Sequence, residues 1–241
     1  MKPLSALEDA SSIRTVVSDV DDTITSSGRL LPAALDAMYR LRASSRSLVL
    51  LTGGSAGWSD VYIRQWPVDK VIAESGALML SRDESGAVVY TRNPVISADV
   101  SEKRRLLLEK IGYGRLSSDQ YARLYDIAVD LSRCTEEELE DIRKMAEDAG
   151  ASTSRSSIHL NIWFGGYDKA EGLRTFFGSD LSGCAYIGDS LPDAALFSIF
   201  PLSFGVASVQ EHRADFPVLP SYVASRPGGE GFAEIIDRIC G

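Results

Sequence analysis

Three carboxylates in four positions, Asp19, Asp21 and Asp22, follow an apolar run in VVSDVDDTITSSG, Val16 to Gly28. Crowded carboxylates repel one another unless a cation or a shared proton offsets the charge. Asp189 and Asp193 repeat the theme in Gly188-Asp189-Ser190-Leu191-Pro192-Asp193, after the apolar CAYI. Thr52 and Gly53 close a third apolar run, SLVLL, and Lys169 stands beside Asp168 where a helical pattern begins. Oxygen donors of this kind suit a hard ion, Mg²⁺ above all, which binds through one or two carboxylates plus a substrate phosphate.

The elements that must position these groups alternate. Residues 14–18, 47–51, 184–187 and 202–206 read as buried strands. Residues 32–44, 55–65, 169–177, 192–200 and 231–239 read as helices. Such alternation implies a parallel sheet covered on both faces. In open α/β sheets, ligands bind beyond the carboxyl ends of the strands, which is where Asp19, Thr52 and Asp189 fall.

The middle of the chain differs. Residues 77–80 and 87–91 flank a turn-forming Arg82-Asp83-Glu84-Ser85-Gly86 and read as a hairpin. Residues 101–111 form a charged helix, and 125–131 alternate as a half-buried strand. Thr135 and Glu138 make a capping box that opens a helix running to Gly150. Residues 157–164 alternate again, with His159, Asn161 and Trp163 on one face. The expected fold is therefore α/β: a Rossmann-like parallel-sheet core, residues 1–80 and 166–241, with an inserted α+β cap domain, residues 81–165. Hinges are expected near Ser81 and at Gly165-Gly166, where paired glycines absorb backbone rotation. No internal repeat or low-complexity tract interrupts the chain.

At this point the residues resemble a family. Asp19-Val20-Asp21-Asp22-Thr23 resembles the DxDxT motif of haloacid-dehalogenase superfamily hydrolases, and Leu51-Thr52-Gly53 the second motif. Lys169 fits the third, and Gly188 to Asp193 fits GDxxxD, the fourth. An insert between the second and third motifs is similar to that of subclass IIB. This subclass includes sucrose-phosphate, mannosyl-3-phosphoglycerate and trehalose-phosphate phosphatases and phosphomannomutase.

The resemblance implies that Asp19 is the nucleophile forming an aspartyl-phosphate, and that Asp21 protonates the leaving alcohol and then activates water. It implies phosphate binding by Thr52, Gly53 and Lys169. Mg²⁺ would be held by Asp19, the Asp21 carbonyl, Asp189 and Asp193, the last directly or through water. His159 and Asn161 are candidate substrate-binding residues of the cap, although His159 taken alone reads as a structural histidine. Asp22 stands where relatives often have Gly and is expected to face solvent. Gly54 follows the second motif where Arg is common, Pro192 stands where Asn is common, and Glu74-Ser75-Gly76-Ala77 resembles ENGA with Ser for Asn. The implied function is a Mg²⁺-dependent phosphatase acting on a small phosphorylated metabolite, with a sugar phosphate the expected class. Gly53-Gly54-Ser55 and Gly166-Tyr167-Asp168-Lys169 are similar to phosphomannomutase motifs, so a phosphosugar mutase is the alternative. A non-catalytic phosphate sensor on the same fold is the alternative of another class.

Composition narrows the partners. The 241 residues carry 25 Lys and Arg against 34 Asp and Glu, a net charge of -9. That balance repels nucleic acid, whose binding rests on neutralising phosphates. Three widely spaced cysteines without a CxxC pair argue against a disulfide framework or a zinc site. With no membrane-length apolar run and no signal-like N-terminus, the expected location is cytoplasmic. Oligomeric state has no signature here.

Overall fold

The computed structural model describes residues 1–156 and 158–241. The chain opens with the short strands β1 (Lys2–Pro3), β2 (Thr15–Ser18), β3 (Thr25–Ser26) and β4 (Arg29–Leu30). Helix α1 (Pro32–Ala43), with Pro at its start, leads to β5 (Ser47–Leu51), α2 (Ala56–Gln65) and β6 (Lys70–Ala73). A hairpin, β7 (Leu78–Arg82) and β8 (Val88–Arg92), follows. Next come α3 (Val100–Ile111), β9 (Ile127–Asp130), α4 (Glu136–Asp148), β10 (Ser152–Arg155) and β11 (His159–Trp163). The chain then runs through α5 (Lys169–Phe177), β12 (Cys184–Gly188), α6 (Ala194–Ile199), β13 (Leu202–Gly205), α7 (Ser208–Glu211), β14 (Tyr222–Val223) and α8 (Gly228–Cys240).

Nine strands form one sheet in the order β1-β14-β13-β12-β2-β5-β6-β7-β8. It is parallel from β1 through β6 and antiparallel only at β7 and β8. The expected α/β class, with a large mainly parallel sheet, is therefore the fold. Strand β2 lies at its centre, between β12 and β5. Ser18 pairs with Ile187 on one side and Leu50 on the other, so the three strands end at one level. Val16 and Val17 are fully buried on opposite faces of β2, in two separate apolar clusters. Such two-sided burial is why the strand reads as an unbroken apolar run.

A second sheet, β10-β11-β9, is antiparallel. Its helix α4 begins at the expected capping box: Thr135 accepts from the Glu138 N–H, and Glu138 accepts from the Thr135 N–H. The boundary expected at residue 81 differs from this arrangement. It falls inside β7, which is hydrogen-bonded to β6 of the large sheet, and β8 extends that sheet further. The change of sheet thus comes after Arg92, and Ser81, paired with Lys70 and Val89, is held rather than placed at a joint. The alternating strand expected over residues 157–164 is β11; Ser157 lies outside the described residues. The helix expected over 192–200 begins as a 3-10 turn, Leu191–Asp193, before α6.

Candidate active site

Asp19, Thr52 and Asp189 directly follow β2, β5 and β12, so three neighbouring strands deliver them to one edge. The Asp19 N–H donates to the Ile187 carbonyl at 2.9 Å, which ties the two acidic loops together. Lys169 arrives from the far side as the first residue of α5, whose N-cap, Asp168, accepts from the Glu171 N–H at 2.8 Å. Its ammonium lies 3.0 Å from Asp19 Oδ1 and 2.9 Å from Asp193 Oδ1. Asp19, Asp189 and Asp193 each offer a carboxylate oxygen within 4.8 Å of the others, a cluster that could hold a metal ion.

The three carboxylates are not equivalent. Asp193 is fully buried and takes five protein donors. Lys169 Nζ and the Tyr186 hydroxyl, at 2.9 and 2.6 Å, share Oδ1. The backbone N–H groups of Asp189 and Ser190, both at 3.1 Å, and the Ser190 hydroxyl at 3.0 Å share Oδ2. This carboxylate closes the turn that carries Asp189. By contrast, Asp19 accepts from Lys169 through Oδ1, Asp189 accepts from the Thr23 hydroxyl through Oδ1 at 3.0 Å, and no protein donor among the described residues reaches Oδ2 of either. Two such oxygens on one cavity match the donor set of a hard divalent cation.

The electrostatics agree. Burial, then the charges of Asp19 and Asp193, push Asp189 up to about 9. Burial also raises Asp19, to about 7, against the pull of the Lys169 ammonium. Asp193 is held below the usual carboxylate range, because Lys169 and the Tyr186 hydroxyl outweigh its burial. One ammonium cannot balance three carboxylates. Asp21 is raised as well, chiefly by burial, with Asp22 adding to it.

A cavity of about 130 Å³ joins these groups, and Asp19, Asp21, Gly53, Lys169, Asp189, His159 and Asn161 all line it. The structure therefore brings the sequence-derived candidates together, with Thr52 buried beside Gly53 and Asp193 buried beneath the cluster. Asn161 is 7% exposed, and its Oδ1 has no hydrogen-bond partner among the described residues. Burial, then the nearby Arg123, holds the His159 imidazole below its ordinary pKa. Asp22 has a positive φ of 53°, a conformation that favours Gly, and accepts from the Ser27 N–H at 2.9 Å. It is half-buried in a turn rather than turned fully to solvent.

Sequence reasoning missed one element. Glu74 and Ser75 are both buried with positive φ, 49° and 57°, and their backbone N–H groups donate to the carbonyls of Gly54 and Thr52. At Gly76, an added Cβ would meet the Asp168 carbonyl at 2.5 Å, so this turn also abuts the start of α5. The resemblance of Glu74 to Ala77 to ENGA was the available signal, because Asn readily adopts the left-handed conformation that Ser75 holds.

No protein-family model matches the chain. A curated phosphoglycolate phosphatase of Methanothrix thermoacetophila is 28% identical over 244 residues, spanning 94% of this chain and 97% of that one. Among solved structures, a haloacid dehalogenase-like hydrolase from Bacteroides thetaiotaomicron superposes with a TM-score of 0.70 at 16% identity, over 94% of this chain and 99% of that one. A sucrose-phosphatase from Synechocystis, in complex with sucrose and phosphate, gives 0.66 at 17% identity, over 93% and 97%. Among the described residues, no helix is long and apolar enough to cross a membrane. The chain thus shares its fold with a haloacid dehalogenase-like hydrolase and a sucrose-phosphatase, and its four motifs meet at the sheet edge where the resemblance places them.

Proposed function

We propose that the protein is a Mg²⁺-dependent phosphatase that hydrolyses a small phosphorylated metabolite through an aspartyl-phosphate on Asp19. The observation that carries this reading is the placement of Asp19 and Asp189 on one cavity, each with an oxygen that no donor among the described residues reaches, while Lys169 stands 3.0 Å from Asp19. Asp19 and Asp189 are the residues that would hold the ion. Once bound, it would neutralise the carboxylates and polarise the phosphoryl group. Asp193, occupied by five donors, orients Lys169 and the Asp189 turn.

Asp19 Oδ attacks phosphorus while the bond from phosphorus to the substrate oxygen breaks. Asp21, whose pKa is raised chiefly by burial against the pull of Lys169, gives its proton to that leaving oxygen. Water then attacks phosphorus, Asp21 takes the water proton, and the bond from phosphorus to Asp19 breaks, releasing inorganic phosphate. Lys169 and the Thr52-Gly53 loop hold the phosphoryl oxygens as charge shifts onto them.

The three-stranded sheet and its helices serve as the cap over this edge. Ser154, Ser156, His159 and Asn161 present neutral polar groups to the cavity, which suits a hydroxylated leaving group such as a sugar. A second cavity of about 560 Å³ shares Ser156, Asp189, Ser190 and Pro192 with the first, so there is room for a leaving group larger than the phosphate. The curated relative's name makes phosphoglycolate a necessary member of any substrate panel. The test is phosphate release from sugar phosphates, phosphoglycerates, phosphoglycolate and an aryl phosphate, with Mg²⁺ and with excess chelator. Release from the panel that depends on the cation supports the reading; full activity in chelator contradicts the metal assignment.

A further inference from the structure

Arg123 lies in the loop before β9, is 3% exposed, and carries three contacts at once. Its Nη1 donates to Asp126 Oδ2 at 2.8 Å and to the Gly53 carbonyl at 3.0 Å. Nε and Nη2 each reach Asp119 at 3.3 Å. The two carboxylates account for the buried charge. The contact with Gly53 crosses from the cap side to the phosphate loop, and the charge balance does not require it.

All three carbonyls of Thr52-Gly53-Gly54 are taken in this way. The Ser75 N–H holds Thr52 O at 3.1 Å, Arg123 holds Gly53 O, and the Glu74 N–H holds Gly54 O at 3.1 Å. In a trans peptide the N–H points opposite to its carbonyl, so fixing each carbonyl aims the following N–H. The Gly53 N–H, opposite Thr52 O, meets no protein acceptor among the described residues. The Gly54 N–H, opposite the carbonyl that Arg123 holds, donates to Thr52 Oγ1 at 2.8 Å. A hydroxyl oxygen that already accepts keeps its own proton for another acceptor, and the Thr52 hydroxyl donates to no protein group among the described residues.

The platform behind this is continuous. The Glu74 carboxylate accepts from the backbone N–H groups of Ala56 (3.0 Å), Leu124 (2.8 Å), Tyr125 (2.7 Å) and Asp126 (3.0 Å). The segment that carries Arg123 is therefore bound to the same turn that holds the phosphate loop.

We infer that Arg123 is a positioning residue for the phosphate site: by holding the Gly53 carbonyl it turns the Gly54 N–H onto Thr52 and directs the Thr52 hydroxyl proton to a phosphoryl oxygen. This rests on the reading of Thr52 and Gly53 as phosphate-binding groups. Arg123→Lys keeps a positive charge for Asp119 and Asp126 but loses the planar fork that serves both carboxylates and the carbonyl together. Gly54→Ala approaches the same hydrogen bond from the other end, since an added Cβ lies 3.1 Å from Thr52 Oγ1.

The probe is inorganic phosphate, with its binding to the full chain in Mg²⁺ measured by calorimetry and by competitive inhibition of aryl phosphate hydrolysis. Arg123→Lys and Gly54→Ala should each weaken phosphate binding about tenfold, the loss of one good hydrogen bond. Thr52→Val should do the same, and Arg123→Lys added to Thr52→Val should weaken it little further, because both act through one hydroxyl. A merely structural role would give losses that multiply. Unchanged phosphate affinity in Arg123→Lys, or fully multiplying losses in the double variant, overturns the inference. Should Arg123→Lys fail to fold, unchanged affinity in Gly54→Ala overturns it equally. Wild-type protein that binds no phosphate would instead overturn the phosphatase reading beneath it.

Discussion

The Lys169 ammonium and the Asp19 carboxylate form an ion pair of 3.0 Å in which both side chains are about nine-tenths buried. Burial at this depth strengthens the attraction but makes an unpartnered charge expensive. On the proposed mechanism Lys169 would have two tasks: drawing Asp19 toward its ionised form against the effect of burial, and offering a positive charge to the incoming phosphoryl group. Lys169→Gln should lower kcat/KM by roughly 10²–10³-fold on every substrate, the usual effect of losing one electrostatic stabiliser. Steady-state rates on two substrates with unlike leaving groups check this. A loss confined to one of them would move Lys169 to leaving-group recognition.

Asp193 and Asp189 should separate on mutation although they lie four residues apart. Asp193→Asn places an amide N–H₂ among five donors, so it should destabilise the fold by roughly 3 kcal/mol, as for breaking a buried charge pair. Asp189→Asn removes a carboxylate whose neighbours repel it, so without cation its melting temperature should hold or rise, while calorimetric Mg²⁺ binding is lost. Equal effects of the two substitutions on both measurements would contradict the division of roles.

Most of the site was legible because its groups sit where local patterns end. Asp19, Thr52 and Asp189 each close an apolar run, and Lys169 follows a residue able to cap a helix. The rest depended on nonlocal information. Alternation marks β7 and β8 as a hairpin but does not say which sheet it joins, since pairing depends on the partner edge. Asp119 and Asp126 flank Arg123 at spacings of four and three, a pattern equally common on exposed surfaces. Only the tertiary structure shows that this buried guanidinium holds the Gly53 carbonyl of the loop after β5. Strand β10, STSR, is short and wholly polar, so neither apolar period was available to reveal it.

Stability should depend on pH in a way that the cation changes. Asp19 at about 7 and Asp189 at about 9 lie above the ordinary carboxylate value of about 4. Between those limits the metal-free folded state binds more protons than the unfolded chain, so stability falls as pH rises through the window. Asp126, raised to about 7 chiefly by burial, adds to the slope below neutrality and is indifferent to metal. Saturating Mg²⁺ should remove the fall between about pH 7 and 9, where Asp189 titrates. Melting curves across this range, with cation and with chelator, test it; identical profiles would contradict metal binding at Asp189.

His159 and Asn161 should matter only to substrates with hydroxyls. Asn161 Oδ1 is buried without a partner among the described residues, so a hydroxyl donor on the leaving group would satisfy it. Asn161→Ala or His159→Ala should lower kcat/KM for such a substrate by roughly ten- to a hundredfold, with little change on an aryl phosphate. Equal losses on both would place the two residues in the fold or in the chemistry instead.

The covalent step on Asp19 is the central claim, and trapping it is the most direct measurement. In Asp21→Asn, attack on an aryl phosphate needs little proton donation, whereas breakdown of the aspartyl-phosphate still needs a base. Acid quenching during turnover, followed by peptide mass analysis, should find one phosphoryl group on the peptide bearing Asp19, matched by a burst of released phenol. Asp19→Asn should show neither adduct nor turnover. Near wild-type turnover in Asp19→Asn, or an adduct on another residue, would contradict the account.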